Sequence, residues 1–167
     1  MHKVIILGFP LLFVLADLGP GGPRVLRGLC EKVLDGDTIV FKGQRVRLLG
    51  LDAPELEQRS RDGREIGLES KRFLSELIQG KNIELHYSSR DRYGRILGHL
   101  YMGGMDINRK ILEQGYAVSF LAGRASKILE YQAKLKRRGI FSSEGFYAPS
   151  YYRRLKRKTS KELLDQR

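Results

Sequence analysis

Five short strand-like runs broken by turn residues, one amphipathic helix between the third and fourth, and two helices after the fifth predict an α+β fold. The arrangement matches a five-stranded barrel of the OB type carrying three helices. Periodicity by itself leaves another small α+β arrangement as an equal competitor. At 167 residues, with 41% hydrophobic and 30% charged residues, the chain has the length and ordinary composition for one such domain with a real core.

The first segment stands apart from that domain. His2-Lys3 precede an apolar run over residues 4–16 that is short for a membrane span but right for the apolar core of a signal peptide. Small residues at Val14 and Ala16 place a cut after Ala16, and a short uncleaved membrane anchor is the alternative. Either puts the protein outside the cytosol, secreted or membrane-anchored. Gly19-Pro20-Gly21-Gly22-Pro23 makes residues 17–24 a flexible linker, so the domain is set at 25–146.

Within the domain, residues 25–34, 38–41 and 44–51 alternate or run apolar, split by the turn signals Asp35-Gly36 and Lys42-Gly43. A charge-dense loop over 55–64 follows. Ser70, Phe73, Leu74, Leu77 and Ile78 recur at helical spacing, and Gly80 stands where a helix ends. Residues 83–87 alternate through Ile83, Leu85 and Tyr87, and 96–102 form the fifth run before Gly103-Gly104. A second helix over 108–114 ends at Gly115 with Ile107, Ile111 and Leu112 on one side. A third, over 126–138, is expected to turn Ile128, Tyr131 and Leu135 inward. There is no internal repeat.

The tail, 147–167, changes composition: Arg153, Arg154, Lys156, Arg157, Lys158, Lys161 and Arg167 face only Glu162 and Asp165. It reads as a solvated or partly helical arm, or as an arm that grips phosphates or a membrane surface. The formal net charge of +12 favours a polyanionic partner, nucleic acid or an anionic membrane, without choosing between them. No protein partner is implied. The single Cys30 excludes an intramolecular disulfide and any C-x-x-C zinc pair, and reads as a small buried hydrophobe. His2, His86 and His99 are scattered, so the chemistry should not depend on histidine.

Three acidic and basic clusters remain. Asp35-Gly36-Asp37-Thr38 and Arg47-Leu48-Leu49-Gly50-Leu51-Asp52-Ala53-Pro54-Glu55 lie at the ends of strand-like runs, and Asp91-Arg92-Tyr93-Gly94-Arg95 forms a later turn. Asp37 and Asp52 each close a strand-like segment, so neighbouring strands of one sheet could bring both to one rim, where two carboxylates need a cation. Glu55 is a spare carboxylate able to accept or orient a proton. Arg47 and Arg95 offer planar forks for a phosphoryl group as negative charge spreads over it. Together these are the parts for metal-assisted phosphodiester hydrolysis.

The three blocks, in this order, resemble the signature of the thermonuclease (staphylococcal nuclease-like) family. The likeness runs from about Leu29 to Glu144 and includes Leu112-Glu113-Gln114-Gly115 and Gly139-Ile140-Phe141. It implies an OB-fold, calcium-dependent endonuclease acting on DNA and RNA without regard to the sugar, cleaving the bond between phosphorus and the 5′ oxygen to leave a 3′-phosphate. By matching positions, Asp37, Asp52 and the carbonyl of Ala53 would hold one Ca²⁺, with Asp35 and Thr38 supporting the ligands without touching the ion. Arg47, Glu55 and Arg95 would be catalytic, and Arg92 and Tyr93 would line the substrate side. Many relatives carry threonine at the position of Ala53, but a main-chain ligand survives that change. Residues 119–123 offer only Phe120 where the family places tyrosines on a bound nucleotide, and Phe141 stands at a usual tryptophan.

Two other classes compete with the enzyme. The same fold occurs as non-catalytic modules that bind nucleic acid or protein after losing the acidic and arginine residues; here Asp37, Arg47, Asp52, Glu55 and Arg95 are all kept. A membrane-surface protein using the N-terminal run and basic tail is the third reading.

Overall fold

The structure, a computed structural model, describes Gly22 and residues 24–165, with side chains through Thr159. The signal-peptide or anchor reading of 1–16 and most of the linker reading of 17–24 lie outside the described residues.

A closed five-stranded barrel forms the body. β1 (Arg24–Val33) pairs antiparallel with β2 (Thr38–Phe41) on one side and with β5 (Asn82–Arg90) on the other. β2 turns into β3 (Gln44–Leu48) through Lys42-Gly43, both at positive φ, the geometry of a two-residue hairpin turn. β6 (Ile96–Met102) pairs antiparallel with β5 and parallel with β3, Val46 against Ile96 and Leu48 against Gly98, which closes the barrel. Alternate residues of these strands (Ile39, Phe41, Val46, Leu48, Ile83, Leu85, Ile96 and Leu100) are buried in the interior.

The third run, read as one strand over 44–51, is broken. It leaves the barrel at Leu49-Gly50, where Gly50 has φ +80°, and resumes as β4 (Leu51–Asp52). β7 (Met105–Asp106) is a short return strand after β6, and β4 pairs with β8 (Val118–Ser119) in a separate two-stranded ribbon. The buried Asn108 side chain holds the break in place: its amide donates to the carbonyls of Leu49 (2.9 Å) and Gly98 (3.3 Å), and its oxygen accepts from Leu100 N–H (3.0 Å).

α1 (Ile66–Ile78) starts four residues before the helical spacing that betrayed it and buries Ile66, Ser70, Leu74 and Ile78. α2 (Ile107–Glu113) is capped by Asp106, whose carboxylate accepts from Arg109 N–H at 2.9 Å. α3 (Arg124–Leu135) overturns the expected face: Leu129 and Ala133 are buried, whereas Ile128, Tyr131 and Leu135 are exposed, Leu135 by 65%. The small Ala133 lets α3 lie close to α2 and the 3₁₀ turn at Gly139–Ser142, so the narrower stripe faces the core. A fourth helix, α4 (Pro149–Asp165), occupies most of the segment read as a basic tail, and brings the count to four rather than three. None of the described helices is long and apolar enough to cross a membrane.

Candidate active site

The turn between β1 and β2 fixes the first carboxylate. Asp35 accepts from Asp37 N–H at 3.0 Å, and Leu48 N–H donates to the Asp37 carbonyl at 2.8 Å, so the Asp37 side chain points across to β4. There Thr38 Oγ1 donates to Asp37 Oδ1 (3.0 Å) and Ala53 N–H donates to Oδ2 (2.9 Å). Asp37 precedes β2 and Asp52 ends β4 in the small ribbon. They are therefore not paired ends of one sheet, as the strand pattern had implied.

Arg47 joins them. It stands opposite Thr38 on β3, and its guanidinium donates through Nη1 to Asp37 Oδ1 and through Nη2 to Asp52 Oδ1, the latter at 2.8 Å. The two acids are 2% and 1% exposed, so their burial depends on paired positive charge, which Arg47 shares between them. Burial pushes the Asp37 carboxyl well above the usual carboxylate range; Arg47 pulls it back and Asp35 adds to the rise. Burial opposes the Arg47 charge too, but Asp37 and Asp52 outweigh it and its pKa is raised.

Glu55 is held by its backbone. Its N–H donates to Gln58 Oε1 at 3.3 Å and its carbonyl accepts from Gln58 N–H at 2.8 Å. α1 presses on this loop at Gly67, where a β-carbon would stand 1.8 Å from the Glu55 carbonyl oxygen, so only glycine fits. The fully buried Gln58 also donates through Nε2 to the carbonyl of Tyr147 at 2.7 Å, tying the loop to the approach of α4.

The third block forms the far wall. Asp91 Oδ1 accepts from the N–H groups of Tyr93 (2.9 Å) and Arg95 (3.0 Å), while Arg95 Nε donates to Oδ2 at 2.8 Å. Arg95 therefore shares the cleft with the acidic pair but is held by Asp91. Tyr93, 69% exposed, lies under the guanidinium of Arg92, its ring centre 4.9 Å away. All the expected site residues line one cleft of about 580 Å³: Asp35, Asp37, Thr38, Arg47, Asp52, Ala53, Glu55, Arg92, Tyr93 and Arg95, with Phe120. His99 lines a neighbouring groove with Phe120 and Leu121, and His86 packs on Tyr101, its ring centroid 4.6 Å away.

Three participants escaped the sequence reading. Gln58 and Asn108 are buried amides whose roles show only in three dimensions. The third is Arg153 of α4, which donates through Nη2 to Asp52 Oδ2 (2.8 Å) and through Nη1 to Asp52 Oδ1 (3.2 Å) and Glu55 Oε1 (2.7 Å). Pairing with Asp52, and then Glu55, raises its pKa against the cost of burial. Nothing in a run of seven basic residues singles out Arg153. The one usable signal is helical register, which puts Arg153 and Arg157 on one face.

No three His, Cys, Asp or Glu side chains gather as a metal cluster among the described residues. The donor set nevertheless fits a hard cation. Two buried carboxylates already share one positive group, and a calcium-type ion completes its shell from carbonyl oxygen and water.

A sequence model described as staphylococcal nuclease homologue matches residues 45–143, the stretch that carries Arg47, Asp52, Glu55 and Arg95. The chain belongs to this family. Membership makes it a nuclease, a hydrolase of phosphodiester bonds, and supplies the reason for the barrel with its cleft of acids and arginines. Among similar proteins, an Escherichia coli protein described as an uncharacterized endonuclease is 33% identical over 139 residues, covering 78% of this chain and 87% of its own. A counterpart of the same description from Haemophilus influenzae is 32% identical, covering 74% and 70%. A probable staphylococcal-like nuclease of Oryza sativa subsp. japonica is 32% identical over 125 residues, 73% of this chain and 36% of the plant protein. The family match ends before α4 begins, so Arg153 lies beyond it.

Proposed function

We propose that this nuclease is a calcium-dependent endonuclease that hydrolyses DNA and RNA without regard to the sugar. The observation that carries the reading is Arg47 bridging the buried Asp37 and Asp52 in a cleft that also holds Glu55 and Arg95. Asp37, Asp52 and the Ala53 carbonyl are the proposed ligands of one ion, with Asp35 and Thr38 fixing Asp37. Bound there, calcium supplies electrophilic pull on a phosphoryl oxygen and offsets its charge.

Glu55 takes a proton from the attacking water, whose oxygen adds to phosphorus opposite the 5′ oxygen. Arg47 and Arg95 bind the equatorial oxygens as negative charge spreads over them. The bond from phosphorus to the 5′ oxygen breaks, that oxygen takes a proton from solvent and departs as a 5′-hydroxyl, and the other fragment keeps a 3′-phosphate. Arg92, Tyr93 and Phe120 at the rim offer a cation and two aromatic faces to the flanking nucleotides. Family membership points to nucleic acid as the polyanionic partner, and the exposed basic residues of α4, such as Arg154 and Lys158, suit its phosphates. Secretion or membrane anchoring is proposed from the N-terminal sequence alone.

The test is digestion of single-stranded DNA, duplex DNA and RNA with calcium and then with excess chelator. Cleavage of all three that needs calcium and vanishes in Asp37→Ala supports the reading. Tight binding without cleavage under any divalent ion moves the chain to the non-catalytic class.

A further inference from the structure

α4 is not a loose tail. Tyr147, just before it, is bound by the buried Gln58, and Lys156 pairs with Glu57, so the helix lies along the loop that carries Glu55. Arg153, one turn before Lys156 and Arg157, then reaches the acidic rim. Its fork takes Asp52 Oδ2, an oxygen with no other hydrogen-bond partner among the described residues, and Glu55 Oε1. Arg47 already engages Asp52 Oδ1. With Arg153 in place both oxygens of Asp52 are committed, and Glu55 Oε1 is engaged by the same guanidinium.

We propose that α4 is an intrasteric cap: Arg153 occupies the carboxylate oxygens that a divalent cation needs, and the cation binds as Arg153 withdraws. This rests on the reading of Asp37 and Asp52 as metal ligands. A guanidinium and a divalent ion cannot both satisfy Asp52 Oδ2, since each brings full positive charge to one oxygen of an almost fully buried acid. The same arginine, once released, lies at the mouth of the cleft beside Arg157, where a nucleic-acid phosphate can receive it. Calcium and nucleic acid therefore assist each other: a phosphate draws Arg153 off the oxygens calcium needs, calcium frees Arg153 for a phosphate, and by linkage the coupling is equal in both directions.

The experiment is calorimetric titration of the full chain with calcium chloride, without nucleic acid, for wild type, Arg153→Gln, Arg153→Lys and Arg157→Gln. Arg153→Gln is expected to bind calcium about tenfold more tightly, the scale of one charge-assisted contact removed. Arg153→Lys, which keeps the charge but cannot span both acids, should fall between. Arg157→Gln removes the same charge from the same cleft and should stay within about twofold of wild type. Equal affinity in wild type and both Arg153 variants, or equal tightening in Arg153→Gln and Arg157→Gln, overturns the cap. If no protein binds calcium at all, the metal reading itself falls and the cap falls with it, an outcome distinct from the other two.

Discussion

Ala53 donates its backbone N–H to Asp37 Oδ2 at 2.9 Å, so the residue after one buried acid fastens the other. Asp37 and Asp52 are separated by the whole β2–β3 hairpin, yet one amide and one guanidinium make them a single unit. The behaviour of the site should follow that unit rather than its members.

Arg47→Met leaves two buried carboxylates without their shared cation. In chelator it should cost about 3–5 kcal/mol of unfolding free energy by denaturant titration. Calcium should restore part of that loss, because the ion replaces the missing charge between the same acids. A variant as stable as wild type in chelator would mean that Arg47 does not balance the pair.

Glu55→Gln keeps the size and the backbone bonds to Gln58 but removes the proton acceptor. Turnover should fall by about 10²–10⁴-fold while calcium is still bound. Single-turnover rates with oligonucleotide in excess calcium read this directly, and retained turnover would remove Glu55 from the chemistry.

Gly67→Ala drives a methyl group into the Glu55 carbonyl. The loop or the start of α1 must shift, with a stability loss of about 3 kcal/mol and a fall in turnover alongside it. Thermal unfolding and cleavage rate measured on the same sample test whether the two losses travel together.

The reversed face of α3 gives a plain contrast. Leu129→Ala should cost about 2–3 kcal/mol, whereas Leu135→Ala, at an exposed position, should stay within about 0.5 kcal/mol. The opposite order would restore the face that periodicity favoured.

Cys30 is fully buried on β1, and burial, with Glu31 adding, pushes its thiol up to about 11. A disulfide reagent at pH 8 should leave it untouched in the native protein and titrate it fully in guanidinium. Rapid native reaction would show that the barrel opens at that strand.

Much of this was legible in the chain. Strand runs, hairpin turns and the first two helices follow from alternation, glycine placement and helical spacing, which are local. The three blocks holding Asp37, Arg47, Asp52, Glu55 and Arg95 are local too, and all five side chains line one cleft. What escaped depends on distant parts of the chain. The break after Leu48 is stabilised by Asn108, and α3 chose Leu129 and Ala133 over a longer apolar stripe because of what packs against it. Arg153 looked like any other cation of a basic run until α4 placed it, 101 positions away in sequence, on Asp52.

The way the barrel closes also sets a timetable for the molecule's birth. Asp37, Asp52 and Glu55 have all been made once Glu55 is joined, yet β3 has no closing partner until β6 exists, and Asp52 has no ribbon until Val118 and Ser119 follow. A growing chain thus carries these three acids long before it can hold them together. The site is complete only as β6 and the second ribbon strand emerge, so the fold and the site are finished late and together.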